Sequence, residues 1–134
     1  VIIYSAKGPT DTSISKTKKM IRRLGLESQE LTKRLGAILG DLTKSIIAES
    51  DVKRVVLVGG DISGRITPVL GIWALQVGKP IGIAAPLCYA YSTHPEIHGL
   101  QVALKGGQIG EDSYFGQAKE MKMSQFEQVA LGHF

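Results

Sequence analysis

Two glycine-rich turns contain the residues of this chain that could bind a charged ligand. The first follows an apolar run of Val and Leu and consists of Gly59, Gly60, Asp61, Ile62, Ser63 and Gly64. Glycine lets the backbone bend and approach a ligand closely because it has no Cβ atom. A helix that starts at such a turn directs unpaired N–H groups and the positive end of its dipole towards the turn. This stretch therefore predicts a phosphate site built from a strand, a glycine turn and a helix N-terminus.

The first turn lacks the defining residues of two common phosphate motifs. Gly59 and Gly64 have the spacing of P-loop glycines, but Arg65 and Ile66 stand where that motif requires Lys and then Ser or Thr. A dinucleotide fingerprint of the form Gly-x-Gly-x-x-Gly is absent from the sequence. A tight turn with no ligand is an alternative interpretation. Asp61 either contacts a ribose or magnesium-bound water, or caps the following helix.

The second turn follows an alternating apolar segment, residues 100–104, and contains Gly106, Gly107 and Gly110. Alternation at period two is typical of a strand with one buried face. Lys105 is the last residue of that strand. Its cation either meets a phosphate at the turn or is simply solvated at the strand end.

Taken together, these segments resemble the C-terminal nucleotide-binding domain of the four-carbon acid sugar kinase family. The similarity is carried by VGGDISG and LKGGQIG, by LGIWALQVG and PLCYAYS between them, and by the opening VIIYSAKGP. It covers nearly the whole chain. The family contains kinases that phosphorylate threonate, erythronate and their oxo derivatives, so the resemblance implies an ATP-binding domain with Mg²⁺ as the companion ion.

The resemblance also implies roles for individual residues. Ser5 matches a family serine that contacts ATP, residues 60–63 match the nucleotide loop, and Gly107 matches a glycine that lines the same site. Many members carry Thr where this chain has Ile62, so a hydroxyl contact is lost at that position. The family's sugar-acid site and catalytic Asp lie in an N-terminal domain with a Gly-Asp-Asp motif, which this chain lacks.

Residues 1–134 are therefore expected to be the nucleotide-binding half of a two-domain kinase. The sugar acid would be held by the missing domain, and this chain alone would be inactive and contain no catalytic residue. The chain starts without Met, directly at the apolar segment Val1–Tyr4, and this start is also typical of a fragment. The alternative from another class is a non-catalytic module that binds protein or nucleic acid.

Length and composition limit the class of protein to which the chain can belong. A length of 134 residues and a hydrophobic share of 43% predict one folded domain. No apolar run approaches the roughly 20 residues of a membrane-spanning helix, and a single Cys suits the reducing cytoplasm. We therefore expect a cytoplasmic protein without a membrane partner, in which Cys88 is a buried apolar residue. The sequence is compatible with a monomer or a homo-oligomer.

The cations and histidines do not predict a nucleic-acid or metal site. The net charge is +4, and the basic residues of the first helix are not interleaved with aromatic residues, which make up 6% of the chain. Stacking platforms for nucleic acid are thus missing, and a solvated helix face is favoured. His94 and His98 are separated by Pro95, which predicts a loop, and His133 lies near the chain end, so no metal site is predicted.

These elements predict an α/β fold, a single layered domain with a mixed, largely parallel sheet flanked by helices. Gly25 is expected to end the first helix, Ser28 to cap the second, and Gly36 and Gly40 to let the second helix approach the sheet. Because of Pro68, the third helix would begin at Ser63 or restart at Thr67. The predicted strands are residues 1–5, 54–58, 81–84, 87–92 and 99–105, and the predicted helices are 13–24, 29–49, 64–77 and one from about 111. Nucleotide should lie at the carboxyl ends of the strands, where the loops at Ser5, 59–64 and 106–110 would converge.

Overall fold

The computed structural model describes residues 1–82 and 84–126. The chain forms two compact units, residues 1–34 and residues 35–134. The described helices are α1 (Thr12–Arg23), α2 (Ser28–Ala48), α3 (Gly60–Val69) and α4 (Tyr114–Glu120), and the described strands are β1 (Arg54–Val58), β2 (Ile72–Pro80), β3 (Pro86–Ser92) and β4 (Gln101–Lys105).

The first unit contains α1 and the beginning of α2. The strand predicted over residues 1–5 is wrong, because this segment forms no strand and the side chains of Val1–Tyr4 are exposed. A strand is stabilised by pairing and by packing of its side chains, and β-propensity alone does not supply either. α2 begins at Ser28 itself, so the predicted cap is one residue too late.

Both ends of α1 have recognisable caps. Asp11 occupies the N-cap, where its carboxylate accepts a hydrogen bond from the Ser13 N–H. Backbone hydrogen bonds, first from Lys7 and then from Ser13, lower the pKa of Asp11. At the other end Gly25 has φ +61°, and the Gly25 and Leu26 N–H groups donate to carbonyls of the last turn. This is a Schellman motif, so the prediction that Gly25 ends the helix is confirmed.

The second unit contains a four-stranded mixed sheet in the order β1-β4-β3-β2. β1 pairs with β4 in parallel, whereas β4–β3 and β3–β2 are antiparallel. The α/β class and the mixed sheet are confirmed, but the expectation that the sheet is largely parallel is wrong. The reason is that β2 and β3 form a hairpin, and a short connection can join only antiparallel strands.

That hairpin replaces the second half of the predicted helix 64–77. α3 begins at Gly60, before both predicted starts, and ends at Val69 with Pro68 in its last turn. Gly71 then adopts φ +60°, which turns the chain into β2. The predicted strand 81–84 is wrong for its described residues, which lie in the hairpin connection, and Ile83 lies outside the described residues. The other three predicted strands, 54–58, 87–92 and 99–105, are confirmed as β1, β3 and β4.

The two faces of the sheet bury separate apolar clusters. One cluster joins α2 and α3 to the sheet through Ile47, Ile66 and Val102. The other joins α4 to the opposite face through Ala103 and Tyr114. Helices on both faces of the sheet define the layered α/β arrangement that the sequence predicted.

The glycines of α2 pack against α3. The prediction that they let this helix approach the sheet is therefore wrong. A Cβ atom on Gly36 would lie 2.5 Å from the Arg65 Cβ, and one on Gly40 would lie 2.7 Å from the Val69 Cβ. Both distances are too short for real atoms, so α2 can approach α3 this closely only with glycine at these positions.

No helix among the described residues is both long enough and apolar enough to cross a membrane.

Candidate functional site

The parallel pairing of β1 and β4 brings the two predicted glycine turns to the same edge of the sheet. Val58 and Lys105 are the last paired residues of these strands. The Gly59 N–H donates to the Lys105 carbonyl at 2.8 Å. A Cβ atom on Gly107 would lie 3.8 Å from the Gly59 Cα. The two turns, which are distant along the chain, are therefore in contact, as the sequence predicted.

The first turn leaves the N-terminus of α3 open. Gly59 occupies the N-cap with φ +101° and ψ +119°, and no side chain caps the helix. The Ser63 N–H donates to the Gly59 carbonyl at 2.8 Å. The N–H groups of residues 60–62 lie before this bond, in the part of a helix where no intrahelical acceptor exists. A Cβ atom on Gly60 would meet no atom within 4 Å, so there is space for a ligand beside these donors.

The side chains of the first turn take different environments. Ser63 is buried, and its hydroxyl donates to the Gly60 carbonyl at 3.1 Å, which braces the first turn of α3. Ile62 is half-buried and packs against the apolar cluster that joins α3 to the sheet. Asp61 is exposed in the first helical turn, and because Gly59 holds the N-cap, the interpretation of Asp61 as the cap is wrong. Gly64 faces open space on the next turn.

Lys105 lies underneath the second turn. Its side chain is only 8% exposed, so the interpretation as a solvated strand end is wrong. The ammonium donates to the Gly106 carbonyl at 3.0 Å and lies 5.5 Å from the centroid of the Tyr114 ring. A Cβ atom on Gly110 would lie 3.1 Å from the Lys105 Cε, so glycine at position 110 makes room for the lysine.

Tyr114 supports this arrangement, and the sequence analysis missed it. The ring is 2% exposed, and its hydroxyl donates to the Ala85 carbonyl at 3.1 Å. Desolvation is the main cause that raises the pKa of Tyr114. The available signal was an aromatic residue four positions after Gly110, at the start of the last predicted helix. Within the second turn itself, the Ile109 N–H donates to the Gly106 carbonyl at 3.4 Å.

Ser5 lies in the first unit, where it is exposed and belongs to no strand. Its nucleotide contact stays a prediction.

The histidines and the cysteine considered in the sequence analysis lie outside the two glycine turns. His94 and His98 lie in a loop, as predicted, and the His94 Nε2 lies 3.1 Å from the Lys44 Nζ. Across residues 1–82 and 84–126, no group of three or more His, Cys, Asp or Glu side chains could hold a metal ion, and His133 lies outside this range. Cys88 is buried as predicted, and desolvation is the main cause that raises the pKa of its thiol.

The fold is a layered α/β domain in which two glycine turns adjoin at one edge of the sheet. A family described as "Nucleotide-binding C-terminal domain" matches residues 1–115, and the chain belongs to this family.

Named relatives of the chain include kinases. It is 36% identical to a 3-oxo-isoapionate kinase from Paraburkholderia graminis, over 92% of this chain and 26% of the relative. It is 30% identical to a 3-oxo-tetronate kinase from Pseudomonas savastanoi pv. phaseolicola, over 88% of this chain and 25% of the relative. The chain thus spans about a quarter of the length of the curated relatives it matches.

Solved structures share the fold. A Haemophilus influenzae protein of the DUF1537 family aligns with a TM-score of 0.57 and 23% identity, over 79% of this chain and 24% of that chain. A DUF1537 protein from Bordetella bronchiseptica, described as a domain-swapped dimer with bound citrate, aligns with a TM-score of 0.56 and 23% identity. That alignment covers 70% of this chain and 22% of the Bordetella chain.

Proposed function

We propose that this chain is the ATP-binding domain of a kinase that phosphorylates a four-carbon sugar acid of the threonate, erythronate or 3-oxo-tetronate type. The observation that carries this proposal is the uncapped N-terminus of α3, which opens beside the second glycine turn. Membership of a nucleotide-binding family and the kinase names of the relatives support it. Which sugar acid is phosphorylated follows from residues outside this chain.

The residues of the two turns fit a nucleoside triphosphate. Backbone N–H groups of residues 60–62 would hold phosphate oxygens, because a helix N-terminus offers both donors and a positive dipole end. Gly107, which faces Gly59, would line the opposite side, and its lack of a side chain keeps that side open. Ile62 supplies only its backbone, since it has no hydroxyl.

Mg²⁺ would fit beside the phosphates at the two turns, where the protein need not supply most of its ligands. The ion would be held mainly by phosphate oxygens and water, with the exposed carboxylate of Asp61 able to bind one of those waters or a ribose hydroxyl. When bound, the ion neutralises the charge of the transferring phosphoryl group. The role of the chain itself is to hold the phosphates in place for in-line transfer.

Turnover requires a second domain. The chain spans about a quarter of its curated relatives, and the sugar-acid site and the catalytic Asp are expected in the part that this chain lacks. We expect the complete kinase to act in the cytoplasm and this chain alone to bind ATP without transferring its phosphate. Since the Bordetella neighbour is a domain-swapped dimer, a homo-oligomer is also part of the proposal.

Isothermal titration with MgATP tests the nucleotide assignment. We expect saturable binding by the 134-residue chain, weaker binding without Mg²⁺, and loss of binding in Gly107→Trp, whose indole would fill the space beside Gly59. Gly107 does not have a positive φ, so this substitution adds bulk without forcing the backbone.

Gly116→Trp is the matched control. A Cβ atom at Gly116 also meets nothing within 4 Å, but this residue lies in α4 and outside the two turns. It should bind MgATP like the unmodified chain. A folded chain that fails to bind MgATP, or equal binding by Gly107→Trp, would show that the glycine turns are only turns.

A further inference from the structure

Lys105 is a buried charge whose partners in the structure are weak for an ammonium. Removing a charge from water is costly unless the charge is paired or well hydrogen-bonded. Here one carbonyl, that of Gly106, accepts a hydrogen bond at 3.0 Å, and the Tyr114 ring lies 5.5 Å away. Among the residues that the structure describes, no carboxylate forms an ion pair with Lys105. The ammonium therefore has donors and positive charge left for another group.

The backbone around Lys105 is shaped to admit this side chain. Gly110 has φ +108°, and a Cβ atom there would lie 3.1 Å from the Lys105 Cε and 3.7 Å from its Nζ. The lysine thus lies between the strand end and the turn that follows it. Gly107, the next residue after the Lys105 acceptor Gly106, is the one that contacts Gly59. The Lys105 ammonium is thus bonded to the residue that precedes Gly107, on the turn that lies beside Gly59.

We propose that Lys105 is a positioning residue for phosphate binding. Its ammonium fixes the turn of residues 106–110 beside Gly59 and adds positive charge to the anion held at the N-terminus of α3. This inference rests on the proposed function. It differs from direct phosphate contact, because the side chain lies beneath the turn and is 8% exposed. Because Lys105 is buried, its charge is screened less than it would be in water.

The test compares nucleotides of decreasing charge in three variants of the 134-residue chain. Lys105→Met removes the charge and the hydrogen bond, Lys105→Gln removes the charge but keeps a donor, and Lys105→Arg keeps the charge. We expect Met and Gln to weaken MgATP binding roughly tenfold. The loss should shrink from ATP to ADP to AMP and should shrink further as salt is added. Lys105→Arg should stay within about threefold of the unmodified chain.

Lys53→Met is the matched control for net charge. Lys53 is exposed and precedes β1, at the opposite end of the strands from the glycine turns. It should leave binding of every nucleotide unchanged. Thermal unfolding establishes that each variant is folded, and if Lys105→Met does not fold, Lys105→Gln carries the test.

The outcomes separate this inference from the proposed function. No MgATP binding by the unmodified chain contradicts the proposed function itself. If the unmodified chain binds MgATP and Lys105→Gln binds it with equal affinity, the electrostatic role of Lys105 is overturned. The proposed function is not affected by that result. Equal losses for ATP, ADP and AMP also overturn the electrostatic role, because they would show that the lysine only maintains the shape of the turn.

Discussion

At the scale of single residues, the site depends on the backbone conformation of Gly59. With φ +101° and ψ +119°, this residue lies where side chains are rarely tolerated, and it places the start of α3 next to the end of β4. Gly60, the next residue, has no positive φ and faces open space. The two adjacent glycines thus differ: the backbone conformation of Gly59 favours glycine, whereas Gly60 leaves open space at the N-terminus of α3.

Gly59→Ala is expected to destabilise the protein by about 1–3 kcal/mol, because the native conformation strains any residue with a Cβ atom. Gly60→Ala, the matched control, should be neutral or stabilising by up to ~1 kcal/mol, since alanine is the better helix former. Urea unfolding of both variants measures the difference. Similar free energies of unfolding for the two variants would contradict the assignment of strain to Gly59.

At the scale of elements, close packing of α2 on α3 holds the helix that carries the site. Gly40 faces Val69, and Gly36 faces Arg65, so the contact runs along α3 towards its N-terminus. Alanine would improve the helix propensity of α2 at both positions. Glycine at these two positions is therefore explained by the close approach of α3, since α2 itself would be more stable with alanine.

Gly40→Ala is expected to cost about 1–3 kcal/mol of unfolding free energy, because its methyl group would overlap the Val69 side chain. Combining it with Val69→Ala should recover part of this loss, which a double-mutant cycle in urea would reveal as a favourable coupling. Gly116→Ala in α4 serves as the control, since its Cβ position is open, and it should be neutral or stabilising. Additive effects of the Gly40 and Val69 substitutions would contradict the proposed contact.

At the scale of the whole second unit, Arg54 connects the parallel strand pair to the C-terminal end of α4. Its Nε donates to the Gln101 Oε1 at 2.7 Å, and its Nη2 donates to the Met121 carbonyl at 2.8 Å. Its Nη1 donates to the carbonyls of Ala118 and Lys119. A cation is favourable at the end of a helix because the last carbonyls are unpaired and carry partial negative charge.

Arg54→Met is expected to lower the free energy of unfolding by roughly 3 kcal/mol or more, because several charge-assisted hydrogen bonds are lost. Arg54→Lys, which keeps the charge but not the fork of donors, should recover only part of this. Hydrogen exchange should show the largest loss of protection in α4 and smaller changes in α3. Uniform loss of protection, or full recovery of the free energy of unfolding by Arg54→Lys, would contradict the role of Arg54 in holding the end of α4 through its fork of donors.

The local features of this fold could be predicted from the sequence. The apolar run of β1, the cap at Gly25 and the two glycine turns each depend on residues within a few positions of one another. Because glycines directly follow both β1 and β4, the sequence also predicted that their turns converge at one sheet edge, and this is confirmed for the turns at Gly59 and Gly107.

The sequence alone therefore predicted the two glycine turns, a helix start at the first of them and a lysine at the second. The folded chain was needed to show that residues 72–80 form a strand, that Gly36 and Gly40 face another helix, and that Lys105 is buried. Turns and caps follow from bonds between near neighbours, which the local sequence specifies. Strand pairing, close helix contacts and burial depend on residues distant in the chain, so their outcome is fixed only when those residues meet.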